Sequence, residues 1–298
     1  MSTAPLILLA GGTGDLGARI AKAILRQGAP VRALVRRGTP VEKLQWLRGL
    51  GAEVAEADYA DPAAMAEACA GTACVVSALS GLHEAIVENQ SALLEAAVRA
   101  RVPRFIPSDF ALDFTKLPPG ANRNLDLRRD FHARLDRAPI AATSILNGAF
   151  ADMLTDQAPI ILFGLKRVLY WGSADQPMDF TTRDDVAAFT AAAALDRTTP
   201  RFLRIAGDQA SARDLAAIAG QVTGTRFRTL RAGGLGFLRA LTALARRLHP
   251  QKGEVYPAWQ GMQYMENMFD GRAKLHPLDN NRYPGLRWTG LRQVLAAR

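Results

Sequence analysis

The chain has 298 residues, 49% of them hydrophobic, with 37 Lys and Arg against 28 Asp and Glu and a formal charge of +9. That length and apolar content supply a large core with room for a second lobe, and they exclude a disordered or fibrous chain. The positive excess is mostly arginine, scattered without a long basic block or a row of interleaved aromatics, which argues against a nucleic-acid groove and for a basic surface.

The first apolar run, Leu6-Ile7-Leu8-Leu9-Ala10, reads as a buried strand. It is too short for a bilayer span or a signal-peptide core, and a cytoplasmic protein is expected. Gly11-Gly12-Thr13-Gly14-Asp15-Leu16-Gly17 then hands over to a helix with apolar spacing through Ile20, Ala23 and Ile24. In this strand-to-helix setting Gly11 permits the sharp turn, Gly14 lets backbone approach a pyrophosphate, and Gly17 allows close helix packing. The free N–H groups and positive end of the helix would receive the anion. A second strand, Val31-Arg32-Ala33-Leu34-Val35, ends in Arg36-Arg37, where NAD-binding proteins place a carboxylate for the ribose 2′-hydroxyl. Two guanidiniums there point to a 2′-phosphate and so to NADP(H), the alternative being a solvated turn before Gly38.

The alternation continues with a helix over 41–50, a strand over 53–57 with Asp58 at its carboxyl end, and a helix opened by Pro62. Cys69 and Cys74 form neither a CxxC pair nor a metal-ligand set, so they read as small apolar fillers and no metal site is expected. Residues 73–78 form a fourth strand, 79–81 a loop, 84–101 a helix, and 104–107 a fifth strand tip. Ligands of such open α/β sheets bind beyond the strand carboxyl ends. Past Phe150 the alternation loosens. A hairpin of 159–163 with 167–171 is expected, then a helix opened by Thr182, a strand over 202–205, and a helix capped by Ser211. The remainder reads as mostly helical, and the basic amphipathic stretch 234–249 is expected to pack its apolar stripe on the core or cap a substrate pocket, with a membrane surface as the alternative. The fold class is therefore α/β, a doubly wound parallel sheet over 1–150 that binds the nucleotide. A smaller substrate lobe takes up most of 151–298, with some segments returning to the first domain.

Four motifs in order carry a resemblance: the glycine run with Leu34-Val35-Arg36, then Phe105-Ile106-Pro107-Ser108-Asp109-Phe110, then the run from Ser144 to Phe150, then Asp179-Phe180-Thr181-Thr182-Arg183-Asp184-Asp185-Val186-Ala187. Together they resemble the NmrA-like and isoflavone-reductase-like atypical short-chain dehydrogenases across nearly the whole chain. The resemblance implies a Rossmann domain, a carboxyl-terminal substrate lobe, and NADP(H)-linked reduction or nucleotide sensing. Carried over by position, it puts Thr13, Asp15 and Leu16 at the pyrophosphate, Arg36 at the 2′-phosphate, with Arg37 beside it, and Asp58 near the adenine. Ser77, Ala78, Leu79 and Ser80 would line the middle of the nucleotide. Gln90, Ser108, Asp109 and Phe110 would approach the nicotinamide, with Asn147 and Phe150 at a cleft beside the substrate. Asp58 alternatively caps a turn, Gln90 lies on a solvated helix face, and Phe150 belongs to the core.

The departures from that pattern bear on chemistry. No tyrosine has lysine four residues later, so the Tyr-x-x-x-Lys pair of ordinary short-chain dehydrogenases is missing. The isoflavone-reductase branch uses a lysine on the helix after the fifth strand, and Arg128 aligns there. Arginine holds its proton too tightly to relay it. His132, one turn further on the same face, is the best substitute donor, with Lys116 as a weaker candidate. The expected activity is flavin-free hydride transfer from NADPH to a conjugated acceptor such as a quinone, enone or aromatic azo compound. The basic charge would suit anionic aromatic substrates. The alternative is a non-enzymatic NADP(H)-sensing regulatory protein.

Overall fold

Short apolar runs alternating with helical spacing build one six-stranded parallel sheet. Its elements are β1 (Ile7–Ala10), α1 (Asp15–Arg26), β2 (Val31–Val35), α2 (Val41–Gly49), β3 (Glu53–Glu56), α3 (Pro62–Cys69), β4 (Cys74–Ser77), α4 (Gln90–Arg99), β5 (Arg104–Ile106), α5 (Arg123–Leu135) and β6 (Ala141–Ala142). The computed structural model describes residues 4–155, 158 and 160–298. The strand order is β3-β2-β1-β4-β5-β6, every neighbour parallel, which is the doubly wound Rossmann arrangement read from the sequence. The order reverses between β1 and β4, and that switch point opens the crevice where such sheets take ligands.

Parallel strands covered on both faces must be apolar throughout, and Ile7, Leu8, Leu9 and Ala10 are all fully buried. On one face of the sheet Leu8, Val75 and Phe105 join Leu93, Ala97, Phe131 and Leu135 in a single core. Phe105 and Phe131 meet with ring centroids 6.1 Å apart. Burying each such ring contributes about 1.5–3 kcal/mol. Helix starts follow side-chain chemistry: Asp61 Oδ1 accepts from Ala64 N at 3.0 Å ahead of Pro62, and α3 begins there. The expected helix over 84–101 opens instead with a π-helical turn, Glu84–Asn89, before α4.

The remaining elements are β7 (Ser144–Leu146), β8 (Ala149–Phe150), β9 (Ile161–Leu162), β10 (Arg167–Trp171), β11 (Met178–Thr181), α6 (Arg183–Leu195), β12 (Phe202–Arg204), β13 (Asp208–Ala210), α7 (Ala212–Thr223), β14 (Arg228–Gly233), α8 (Leu235–Leu248), α9 (Ala258–Phe269) and α10 (Leu291–Ala296). They form two three-stranded sheets, β14-β10-β9 and β13-β11-β8, and a β12-β7 pair. The expected hairpin is present as antiparallel β9 and β10; Pro159 lies outside the described residues. Thr182 Oγ1 accepts from Asp185 N at 3.1 Å at the head of α6, and Ser211 with Asp214 closes a capping box on α7.

Two sequence expectations are corrected. The remainder after Gly224, read as mostly helical, holds α8, α9 and α10 but also β14, parallel to β10, whose register with β10 supplies the hydrogen bonds that local spacing does not announce. Helix α8 buries only part of its apolar stripe: Leu238 is buried and Leu235 and Ala245 are half-buried, while Phe237, Leu241, Leu244 and Leu248 are exposed. Contacts divide the chain into two compact units, each discontinuous in sequence. One is Met1–Asp109, Leu127–Ile145 and Val186–Leu203; the other is Phe110–Asp126, Leu146–Asp185 and Arg204–Arg298. Among the described residues no helix is long and apolar enough to cross a membrane.

Candidate functional site

The turn from β1 to α1 is built on backbone contacts that side chains would block. Gly11 has φ +81°, and a Cβ there would stand 2.5 Å from the Ala78 carbonyl oxygen at the end of β4. A Cβ on Gly17 would run into the Gly11 carbonyl, so α1 is held directly against the turn. Gly14 differs from both: its Cβ would meet only Gly11 O, at 3.4 Å, and the side it presents is open. Gly14 also serves as N-cap without a side-chain cap, so no side-chain oxygen covers the N–H groups of the first turn of α1. Thr13 and Leu16 are half-buried beside it, while Asp15 is exposed and accepts from Arg19 Nε at 2.8 Å. An open cradle of backbone donors at a helix N-terminus fits a pyrophosphate.

Arg36 and Arg37 are exposed at the end of β2. Thr39 donates to Arg36 O through both N and Oγ1, at 3.1 and 2.7 Å, which fixes the turn. Arg37 Nη2 stands 3.5 Å from Asp61 Oδ2. Burial pushes the Tyr59 hydroxyl up to about 12, with the charge of nearby Arg36 opposing. Asp58 is exposed at the end of β3, and its Oδ1 accepts from Ala60 N at 3.0 Å, the geometry of a turn-capping aspartate.

At the tips of β4 and β5, Ala78 N donates to Ala10 O at 2.9 Å, and Leu79 O accepts from Ser108 Oγ at 2.6 Å. Ser80 is exposed; Ser77 is fully buried, and its Oγ finds no protein partner among the described residues. Gln90 is fully buried rather than on a solvated face. Its Nε2 donates to Ile86 O at 3.0 Å and its Oε1 accepts from Ser108 N at 2.8 Å, tying the π-helical turn to the tip of β5.

Asp109 is fully buried in a polar network. His132 Nε2 lies 2.5 Å from its Oδ2, and Ser144 Oγ donates to the same oxygen at 2.6 Å. Arg201 Nη1 donates to Ser144 Oγ at 2.6 Å, and Arg201 Nη2 faces His132 Nδ1 at 3.2 Å. Arg201 also grips Asp136 Oδ1, at 3.0 Å from Nε and 2.9 Å from Nη2. A guanidinium only donates, so Nδ1 of His132 accepts and the ring proton sits on Nε2, facing Asp109. Burial alone would raise the Asp109 carboxyl; the charge that His132 carries when protonated, the hydrogen bonds from His132 and Ser144, and the charge of Arg128 together bring it below its ordinary value. Arg128 is itself buried.

His132, expected as the proton donor, has both ring nitrogens engaged within this network. Asp109, expected at the nicotinamide, has Oδ2 committed to the same network. Lys116 is a strut of the other unit, its Nζ donating to Lys274 O at 2.6 Å and His276 O at 3.4 Å, with Asp113 Oδ2 3.5 Å away. In that unit Asn147 is fully buried, its carbonyl accepting from Thr181 Oγ1 at 2.7 Å, and its Oδ1 finds no protein partner among the described residues. Phe110 is buried; Phe150 is half-buried on β8 with the Arg183 guanidinium 5.3 Å from its ring. Sequence reasoning missed Arg201 and the role of Ser144. Ser144 lies in a recognised motif, but nothing in the spacing around Arg201 announces its contact with His132.

The sheet order, with a glycine turn at its switch point, defines a Rossmann-type α/β protein. The model of the NmrA-like family matches residues 3–280, and the chain belongs to that family, as its motifs indicated. It is 30% identical over 200 residues to pinoresinol reductase 1 of Arabidopsis thaliana; the match covers 62% of this chain and 63% of the relative, less than two thirds of the latter's length. The solved structure of AtPrR2 with NADP+ and (+)pinoresinol superposes with a TM-score of 0.81 at 23% identity, covering 100% of this chain and 99% of that one. The crystal structure of isoflavone reductase superposes equally well, with a TM-score of 0.81 at 19% identity over 99% of both chains. At these identities the structural likeness speaks to the fold.

Proposed function

We propose that the chain is an NADPH-dependent, flavin-free reductase that transfers hydride to a conjugated phenolic or related small molecule, with quinones, enones and aromatic azo compounds among its acceptors. The observation that carries this reading is the open side of Gly14, framed by two glycines whose missing side chains let backbone close around the turn. Relatives named as pinoresinol reductases support the reaction class. The backbone over Gly11, Thr13, Gly14, Asp15, Leu16 and Gly17 would hold the pyrophosphate, and Arg36 with Arg37 the 2′-phosphate. Ser77 to Ser80 would lie along the middle of the nucleotide. When bound, NADPH supplies the hydride from its nicotinamide C4.

The chain's own contribution to the chemistry is charge. The Arg128 guanidinium stabilises negative charge developing on a conjugated acceptor oxygen without donating a proton. The proton then comes from water. His132, with Asp109, Ser144 and Arg201, is a positioning residue: it fixes α5 one turn beyond Arg128.

A second reading, a non-enzymatic NADP(H)-responsive regulator, is supported by one observation: His132 is engaged at both ring nitrogens, on the helix where the resemblance aligns Arg128 with the family's lysine. NADPH oxidation by purified protein, measured with and without a lignan, an isoflavone, a quinone, an enone and an azo compound, separates the two. Acceptor-dependent oxidation supports the reductase. Tight NADPH binding with no acceptor-dependent oxidation for any of them overturns it in favour of the regulator.

A further inference from the structure

We propose that α8 is a peripheral membrane-binding element that lays its exposed apolar stripe into an anionic lipid surface. The stripe is Phe237, Leu241, Leu244 and Leu248, which are 58%, 37%, 53% and 63% exposed. At about 100° per residue these four positions share about 60° of arc, a single ridge along the helix. The helix is held from its other side. It packs on α9, with Leu238 and Thr242 as its buried positions. Arg239 Nε reaches Glu266 Oε1 at 2.5 Å, and the Arg246 guanidinium lies 5.3 Å from the Trp259 ring centroid. The ridge is thus presented on a fixed support.

Charge selects the occupant. Between Asp214 and Glu254 the chain carries seven arginines and lysines and no carboxylate. All seven are exposed, Arg247 and Lys252 among them at the exit of α8. A helix with an apolar ridge and cationic flanks seats its ridge at the acyl boundary while the cations meet lipid phosphates and carboxylates. Two copies of the chain pairing through this ridge would bring together two such segments, each with the cations that remain after Glu266 pairs with Arg239 and with no carboxylate of its own between Asp214 and Glu254. A nucleic acid would satisfy the cations but leave three leucines against phosphate, where recognition uses stacked aromatic rings.

The test is co-sedimentation of the full chain with vesicles of phosphatidylcholine alone and of phosphatidylcholine with phosphatidylserine. We expect binding to the anionic vesicles at low salt, weakening as salt rises, and little to the neutral ones. Phe237→Ser with Leu248→Ser, and separately Arg247→Glu with Lys252→Glu, should each lower the partition coefficient about tenfold or more. All four residues are exposed, so the variants should keep the native melting temperature, which is checked alongside. No binding to anionic vesicles overturns the proposal. So does binding that survives the apolar double variant, or a dimer in solution that the apolar double variant dissociates, which would assign the ridge to a second copy.

Discussion

His132 Nε2 lies 2.5 Å from Asp109 Oδ2, and the imidazole is turned so that its other nitrogen accepts from Arg201. In the proposed reading, a histidine held in this way organises a helix rather than serving a substrate. Removing the carboxylate should show it. Asp109→Asn leaves His132 and Ser144 without their charged acceptor and should destabilise the protein by about 3–5 kcal/mol. The loss should depend on pH in a defined direction. The folded carboxyl titrates below its ordinary 3.8, so the unfolded chain binds the proton first as pH falls. The contribution of Asp109 is therefore complete above the unfolded value and lost as pH falls through the folded one. Urea unfolding of both proteins from neutral to acid pH should show the difference between them shrinking only on the acid side of 3.8. A gap that stays constant through that window would remove the carboxylate from the account.

The glycines of the cradle should separate by role. Gly17→Ala forces a methyl onto the Gly11 carbonyl and should cost stability and nucleotide affinity together. Gly14→Ala adds a methyl with only Gly11 O nearby, at 3.4 Å, so it should cost about 1 kcal/mol or less of stability. Its NADPH dissociation constant should nonetheless rise about tenfold or more, because the methyl stands where the pyrophosphate must approach. Thermal melts and fluorescence titration read the two effects. Equal losses of affinity and stability at Gly14 would count against the cradle.

Arg36 is the test of the 2′-phosphate. Charge-assisted hydrogen bonds contribute about 1.5–3 kcal/mol, so Arg36→Ala should weaken NADPH binding by about ten- to a hundredfold and leave NADH binding nearly unchanged. Parallel weakening of both nucleotides would mean that the arginine only shapes the turn.

Cys69 and Cys74 are buried, and burial pushes both thiols up to about 12. Neither should react with a disulfide reagent at about pH 8 in the native protein, and both should react once it is denatured. Rapid native labelling of either thiol would contradict their role as core fillers.

Legibility in the sequence followed the range of the interactions. Five strands of the six-stranded sheet could be read because short apolar runs alternate with helices that carry their own spacing, as from Leu8 to Ile24; the two-residue β6 has no such signal and was not read. The cradle could be read because Gly11 and Gly17 answer local steric demands. The second unit was harder, since β8 has two residues and is defined by its pairing with β11, distant in sequence. Arg201 was illegible for the same reason: its contact with His132 spans 69 residues. The stripe of α8 was visible as a pattern, but periodicity states that a face is apolar and not whether something covers it.

Arg128 carries the sharpest prediction about chemistry. In the proposed reading it stands at the helix position where the related reductases are expected to use lysine, and a guanidinium there can stabilise an oxyanion but not relay a proton. Arg128→Ala should therefore lower kcat for an activated acceptor such as a quinone by about a hundredfold, the effect of losing one well-placed electrostatic donor. Arg128→Lys keeps the charge and adds a group able to release a proton. It should recover most of the rate on quinones and extend activity to less activated acceptors, with a basic limb appearing in the pH–rate profile. Because Arg128 also favours the ionised form of buried Asp109, both variants need a stability measurement beside the kinetics. A flat pH profile in both proteins, with Arg128→Ala as active as the parent, would show that Arg128 belongs only to the structural network around Asp109.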